Sequence, residues 1–151
     1  MKKLLAIALT LLLSACNSTP YQEDVDNSDK LFSEDYPVGG YSSEKSTLIP
    51  NQYIVMFRGN PFTPSETADD YAMIRATAIC LEQTMPFIEV LEYNLTYIHV
   101  PILNNKPVVR YRITCLDTDK GNVLAKDAVE VYKRLTSMYA MTLMPKHNRM
   151  N

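Results

Sequence analysis

Val108-Val109-Arg110-Tyr111-Arg112-Ile113-Thr114-Cys115-Leu116 places Val109, Tyr111, Ile113 and Cys115 at alternate positions, with Arg110, Arg112 and Thr114 between them. Side chains of a strand point to opposite faces with a period of two, so this stretch predicts a strand with one dry face and one wet, basic face. Such a strand belongs in an antiparallel sheet covered on one side. Upstream, Asn104-Asn105 between Pro101 and Pro107 predicts a turn. Before it, residues 87–100 are too long and too alternating for anything but a strand, bulged around Glu92 to Asn94, with Phe87, Leu91, Tyr93, Leu95 and Tyr97 on one face. Downstream, Asp117-Thr118-Asp119-Lys120-Gly121 is a tight-turn signature leading to a short strand over 123–126. Asp127 with Glu130 three residues later then opens a helix whose buried stripe is Ala128, Val131, Leu135 and Met138.

The N-terminal half of the same unit starts near Leu48. Residues 52–58, QYIVMFR, lie between Pro50 and Gly59 and are rich in β-branched and aromatic side chains, which predicts an inner strand, apolar on both faces. Gly59-Asn60 supplies a left-handed turn. In Thr63-Pro64-Ser65-Glu66, Thr63 can cap a helix, Pro64 fits its first position and Glu66 can reach back to complete a capping box. That helix runs to about Glu82, with Thr67, Tyr71, Ile74, Ala78 and Leu81 as its buried stripe, and Pro86 closes it. The order β-α-β-β-β-α predicts an α+β fold, a two-layer sandwich of a small antiparallel sheet and two helices, over residues 48–144.

Ahead of this unit, Lys2 and Lys3 precede an apolar run too short to span a bilayer as a helix, and the run closes on Leu13-Ser14-Ala15-Cys16. This pattern resembles the lipobox of bacterial lipoprotein signals. The resemblance implies that residues 1–15 are cleaved and that Cys16 becomes a lipidated N-terminus carrying diacylglycerol and a further acyl chain. Two or three chains hold firmly, since each buried CH₂ contributes roughly 0.8 kcal/mol. Asn17, which is not Asp, is by resemblance to enterobacterial sorting a signal for the outer membrane, periplasmic side. Loss of Lys2 and Lys3 with the signal takes the formal charge from −2 to −4, so nothing in the charge balance points to nucleic acid. Seven acids against Lys30 and Lys45 lie between Asn17 and Thr47. With Pro20, Pro37, Gly39 and Gly40 breaking any apolar period, residues 16–47 read as an acidic flexible tether holding the domain roughly 30 Å from its anchor. Residues 145–151 read as a basic tail.

With Cys16 acylated, Cys80 and Cys115 remain in an oxidising compartment, which predicts a disulfide between them, the alternative being two buried free thiols.

Tyr53-Ile54-Val55-Met56-Phe57-Arg58-Gly59-Asn60, together with Asp70-Tyr71-Ala72-Met73-Ile74-Arg75-Ala76, resembles the paired motifs of a family of small uncharacterised envelope lipoproteins of Gram-negative bacteria. The resemblance spans roughly residues 39–139 and implies a fold but no reaction. The resemblance implies a Glu two residues beyond the Arg-Ala step and a Gly near the end of the first helix. Here Thr77-Ala78 and Gln83-Thr84 stand at those places.

Arg75 lies near the edge of the first helix's buried stripe. A desolvated arginine needs an acid, so it is expected to form a structural ion pair with Asp69, Asp70, Glu89 or Glu92, or to contact an anionic group of a partner. His99 has no serine, acid or cysteine at a telling spacing, and no nucleophile elbow, metalloprotease pair or paired-carboxylate motif occurs. Met138, Met141, Met144 and His147 recur every third residue, a soft ligand set suited to Cu(I). The expectation is a membrane-anchored, non-enzymatic envelope lipoprotein needing no cofactor beyond its lipid. It would act as an interaction accessory of a periplasmic or outer-membrane assembly. An envelope protein partner would meet the Arg110 and Arg112 face, a sheet edge open to strand addition, or tyrosines 93, 97 and 111. The alternatives are a periplasmic small-ligand or Cu(I) carrier, and a cryptic hydrolase with two carboxylates distant in sequence.

Overall fold

The computed structural model describes Ser18 and residues 20–23, 39–99, 101 and 105–139. Five strands and two helices follow in the order β1 (Gly40–Lys45), β2 (Gln52–Arg58), α1 (Ser65–Glu82), β3 (Phe87–Ile98), β4 (Lys106–Leu116), β5 (Ala125–Asp127) and α2 (Ala128–Met138). The strands form one antiparallel sheet in the order β1-β2-β4-β3-β5, and the helices cover one of its faces, which is the expected α+β arrangement. Strand β4 lies in the middle, antiparallel to both β2 and β3. Tyr53, Val55 and Phe57 of β2 and Val109, Tyr111, Ile113 and Cys115 of β4 are all buried on the helix side.

Strand structure is already present at Gly40, ahead of Leu48. Strand β1 has a single aromatic residue, Tyr41, and no apolar period; it exists because its backbone pairs with β2 from Gly40 opposite Arg58 to Lys45 opposite Tyr53. That pairing makes β2 the inner strand expected of it, although Ile54 and Met56 on its other face are only half-buried.

The bulge in β3 falls between Val90 and Glu92, earlier than the expected position. An extra residue on one strand reverses which side chains face the core. Ile88 and Val90 therefore share the helix-side face with Tyr93, Leu95 and Tyr97, opposite Cys115, Ile113, Tyr111, Val109 and Pro107. Phe87, opposite Leu116, and Leu91 fall off that face.

In α1 the buried residues are Ala68, Ala72, Ile74, Ala76, Thr77, Ile79 and Cys80, so the contact stripe is rotated from the expected one. The small side chains at 68, 72 and 76 are what lie on the sheet, because only they let a helix approach strands that carry Tyr53, Phe57 and Tyr111. Tyr71 and Leu81 pack at the border of this core. The N-terminus differs as well. Pro64 stands at the N-cap with no side-chain cap bond, and the Thr63 hydroxyl exchanges hydrogen bonds with Asn60, donating to Oδ1 at 3.0 Å and accepting from the Asn60 N–H at 3.0 Å.

The turn at Gly59 is not left-handed. Glycine is needed there for space, since a Cβ would lie 2.7 Å from Thr63 Cβ and 2.9 Å from Pro107 Cγ. A left-handed residue stands instead at Thr84, with φ of 59°, just past the end of α1. The Thr84 N–H donates to the Leu81 carbonyl at 3.0 Å and the Met85 N–H to the Cys80 carbonyl at 2.9 Å, the paired bonds of a Schellman cap.

Helix α2 starts as expected, with Asp127 Oδ1 accepting from the Glu130 N–H at 2.9 Å. Its buried residues are Ala128, Leu135 and Thr136. Met138 is 64% exposed, because the side of the helix turned to the core continues through Leu135 to half-buried Tyr139.

Candidate functional site

Cys80 on α1 and Cys115 on β4 are disulfide-bonded, with Cα atoms 5.1 Å apart and both residues buried. The bond ties the helix layer to the central strand.

Arg75 does form a structural ion pair, but with none of the acids expected. Its Nη1 donates to Glu82 Oε1 at 3.0 Å, and its guanidinium lies over the Tyr41 ring, 5.1 Å from the centroid. Glu82 sits two turns further along the same helix face, whereas Asp69 and Asp70 point elsewhere. Asp69 Oδ1 accepts from the Tyr111 hydroxyl at 2.5 Å, and Asp70 Oδ2 accepts from the Tyr139 hydroxyl at 2.7 Å. Burial raises the Asp69 carboxyl above the ordinary range, opposed by the Tyr111 hydrogen bond. Burial first, and then the bond to Asp70, lifts Tyr139 to about 12. The sequence offered no sign of these two pairs, which join residues 42 and 69 positions apart.

The basic face of β4 is less basic than its sequence. Arg112 pairs with Glu92 at 3.0 Å across the β3–β4 ladder, and Arg110 is exposed between Met56 and Asn94 on neighbouring strands. A cross-strand pair of half-exposed ions contributes at most about 1 kcal/mol, but it removes one of the two charges an anionic partner would seek.

The outer half of β3 differs from the rest of the sheet. Strand β5 pairs only with Phe87, Ile88 and Glu89. Beyond them, among the described residues, β3 has a neighbour on one side alone, so residues 91–98 form an open edge with free backbone polarity. Leu91, Tyr93, Tyr97 and Ile98 along it are 42%, 50%, 54% and 44% exposed. Residues 93–98, YNLTYI, carry no charge and no proline, the devices that usually protect an edge. Tyr93 also lies against Tyr111, ring centroids 5.2 Å apart. Through the Tyr111 bond to Asp69, the edge is therefore braced by α1.

At the other sheet edge, residues 21–23 lie against the Gly39–Tyr41 end of β1. The Tyr41 N–H donates to the Gln22 carbonyl at 2.8 Å, Gln22 Nε2 donates to the Gly39 carbonyl at 2.9 Å, and Glu23 bridges Tyr41 in parallel. Tyr21 packs on Tyr41 and Tyr71, centroids 4.8 and 5.6 Å away. Part of the expected flexible tether is thus docked on the fold, through an isolated bridge at Glu23 and the contacts of Tyr21 and Gln22.

His99 is exposed, with Nδ1 3.0 Å from Asn105 Oδ1. Of the proposed copper set, Met138 stands exposed at the end of α2, while Met141, Met144 and His147 lie outside the described residues, as do Cys16 and the residues before it. Among the described residues there is no cluster of three or more histidine, cysteine, aspartate or glutamate side chains placed to hold a metal, and no helix long and apolar enough to cross a membrane. Comparison with family models, with curated proteins and with solved structures finds no match, so the candidate site stands on its own geometry.

Proposed function

We propose that this chain is a lipid-anchored accessory of the bacterial envelope, without catalytic activity, whose domain binds an extended segment of another envelope protein along the open edge of β3. The anchor rests on the signal pattern ending at Cys16 and the resemblance to small envelope lipoproteins. The binding mode rests on one observation: among the described residues, β3 has no second neighbour over residues 91–98, and large side chains are exposed along it. A partner strand would gain main-chain hydrogen bonds from that edge, and the exposed Tyr93 and Tyr97 would grip its alternate side chains. The uncharged run 93–98 suits an uncharged partner segment. This reading favours the edge over the arginine face, because Arg112 already has Glu92.

The test is crosslinking in intact cells with a tag placed after Asn151. Wild type, Tyr93→Lys with Tyr97→Lys, and Arg110→Glu are compared. One dominant envelope protein captured by wild type and Arg110→Glu, and lost from the tyrosine pair variant, is the expected result. Loss only in Arg110→Glu moves the interface to the basic face, and equal capture by all three overturns both.

A further inference from the structure

The contacts of residues 21–23 change where the domain stands relative to its anchor. Resting on the lipidation of Cys16 proposed above, we infer that the docked segment from Tyr21 to Glu23 holds the Tyr41 end of the β1 edge close to the lipid surface. The β3 edge is then turned away from the membrane.

The argument is one of chain length. Five residue steps separate Cys16 from Tyr21, and a fully extended chain covers at most about 3.6 Å per residue, or roughly 18 Å in all. If residues 21–23 were free, the first fixed point would be Gly40, and a coil of about 24 residues has a root-mean-square span near 27 Å and a much longer reach. Docking replaces that wide distribution by a short leash.

Several independent contacts hold the segment. The backbone bond from Tyr41 to Gln22, the Gln22 side-chain bond to Gly39, and the Tyr21 ring wedged against Tyr41 and Tyr71 come from different atoms. Tyr71 also carries Phe57 and Tyr139 on edge-to-face contacts, so Tyr21 is joined to an aromatic cluster that reaches the core. Arg75 over Tyr41 extends the cluster to the Arg75–Glu82 pair.

The sheet order then fixes the other end. The docked segment bridges β1, and β1, β2, β4 and β3 lie side by side; four spacings of about 4.8 Å put the open edge roughly 19 Å across the sheet from Glu23. A partner reaching the β3 edge would approach from the aqueous side.

The test uses the full-length protein purified from membranes and reconstituted in phosphatidylethanolamine and phosphatidylglycerol vesicles. Mass spectrometry of the Cys16 peptide comes first; an unacylated Cys16 defeats the anchor reading itself, separately from the docked segment. On acylated protein, amide exchange at Tyr41 is compared between wild type and Tyr21→Gly with Gln22→Gly. At least tenfold faster exchange in the variant is expected. Energy transfer to acceptor headgroup lipids is then measured from a dye on Ser43→Cys in β1 or on Thr96→Cys in β3. Stronger transfer from position 43 than from position 96, with the difference lost in the glycine variant, is the expected outcome. Equal transfer from both positions in acylated wild type, or Tyr41 exchange unaffected by the glycines, overturns the inference.

Discussion

Replacing both Cys80 and Cys115 by alanine tests how far this small domain depends on its staple. The bond joins residues 35 apart in sequence. Closing a loop of that length removes about 12.7 cal/mol/K of entropy from the unfolded chain, worth roughly 3.8 kcal/mol at 25 °C. Single domains have net stabilities of only about 5 to 15 kcal/mol, so the loss is a large fraction of the total. With a urea slope of about 1 to 1.5 kcal/mol/M, the unfolding midpoint should fall by roughly 2.5 to 4 M. The assay is equilibrium urea unfolding followed by far-ultraviolet circular dichroism on three samples: oxidised wild type, reduced wild type, and Cys80→Ala with Cys115→Ala. Reduced wild type and the double variant should agree closely, since both cysteines pack as small apolar side chains in the core and the shared defect is the missing cross-link. A double variant whose midpoint stays within about 0.5 M of oxidised wild type would refute the reasoning, because the cross-link would then restrict nothing the unfolded chain samples. If the reduced form lies well above the double variant, the sulfur packing outweighs the loop.

Three further outcomes follow from the geometry. Thr84 is β-branched and sits at a φ of 59°, so Thr84→Gly should raise stability by about 1 kcal/mol, read as a higher urea midpoint; a fall would mean that the Thr84 side chain contributes more than its backbone strain costs. Gly59→Ala should lower stability by about 1 to 3 kcal/mol, since the new methyl meets Thr63 and Pro107 inside van der Waals distance; an unchanged midpoint would show that the β2–α1 corner can open freely. Burial and the bond to Asp69 hold the Tyr111 hydroxyl protonated well above its ordinary value of about 10. Above that pH the unfolded chain loses this proton while the native state keeps it, so stability falls with rising pH, by up to about 1.4 kcal/mol per unit for this group. Tyr111→Phe should flatten the slope of midpoint against pH between pH 10 and 11.5, whatever it does to stability at neutral pH, and an unchanged slope would place the alkaline sensitivity in other tyrosines.

Where side-chain pattern and local chemistry act over a few residues, the sequence was enough. The alternation over 108–116 located the central strand, QYIVMFR an inner strand, and Asp127 and Glu130 the start of α2. These signals are local because a strand's period, a cap's reach and a turn's backbone are set within one element. The tertiary structure decided the rest. Strand β1 has no apolar pattern and exists through backbone bonds to β2, and the bridge at Glu23 forms against β1 once that strand is in place. The phase of β3 turned on where one extra residue fell, and the contact face of α1 turned on how closely small side chains let it approach the sheet. Arg75, Asp69 and Asp70 had several possible partners in sequence; packing brought Glu82, Tyr111 and Tyr139 within reach. The open edge of β3 became visible only once β5 proved too short to cover it, because an edge is defined by which strands lie beside it in space.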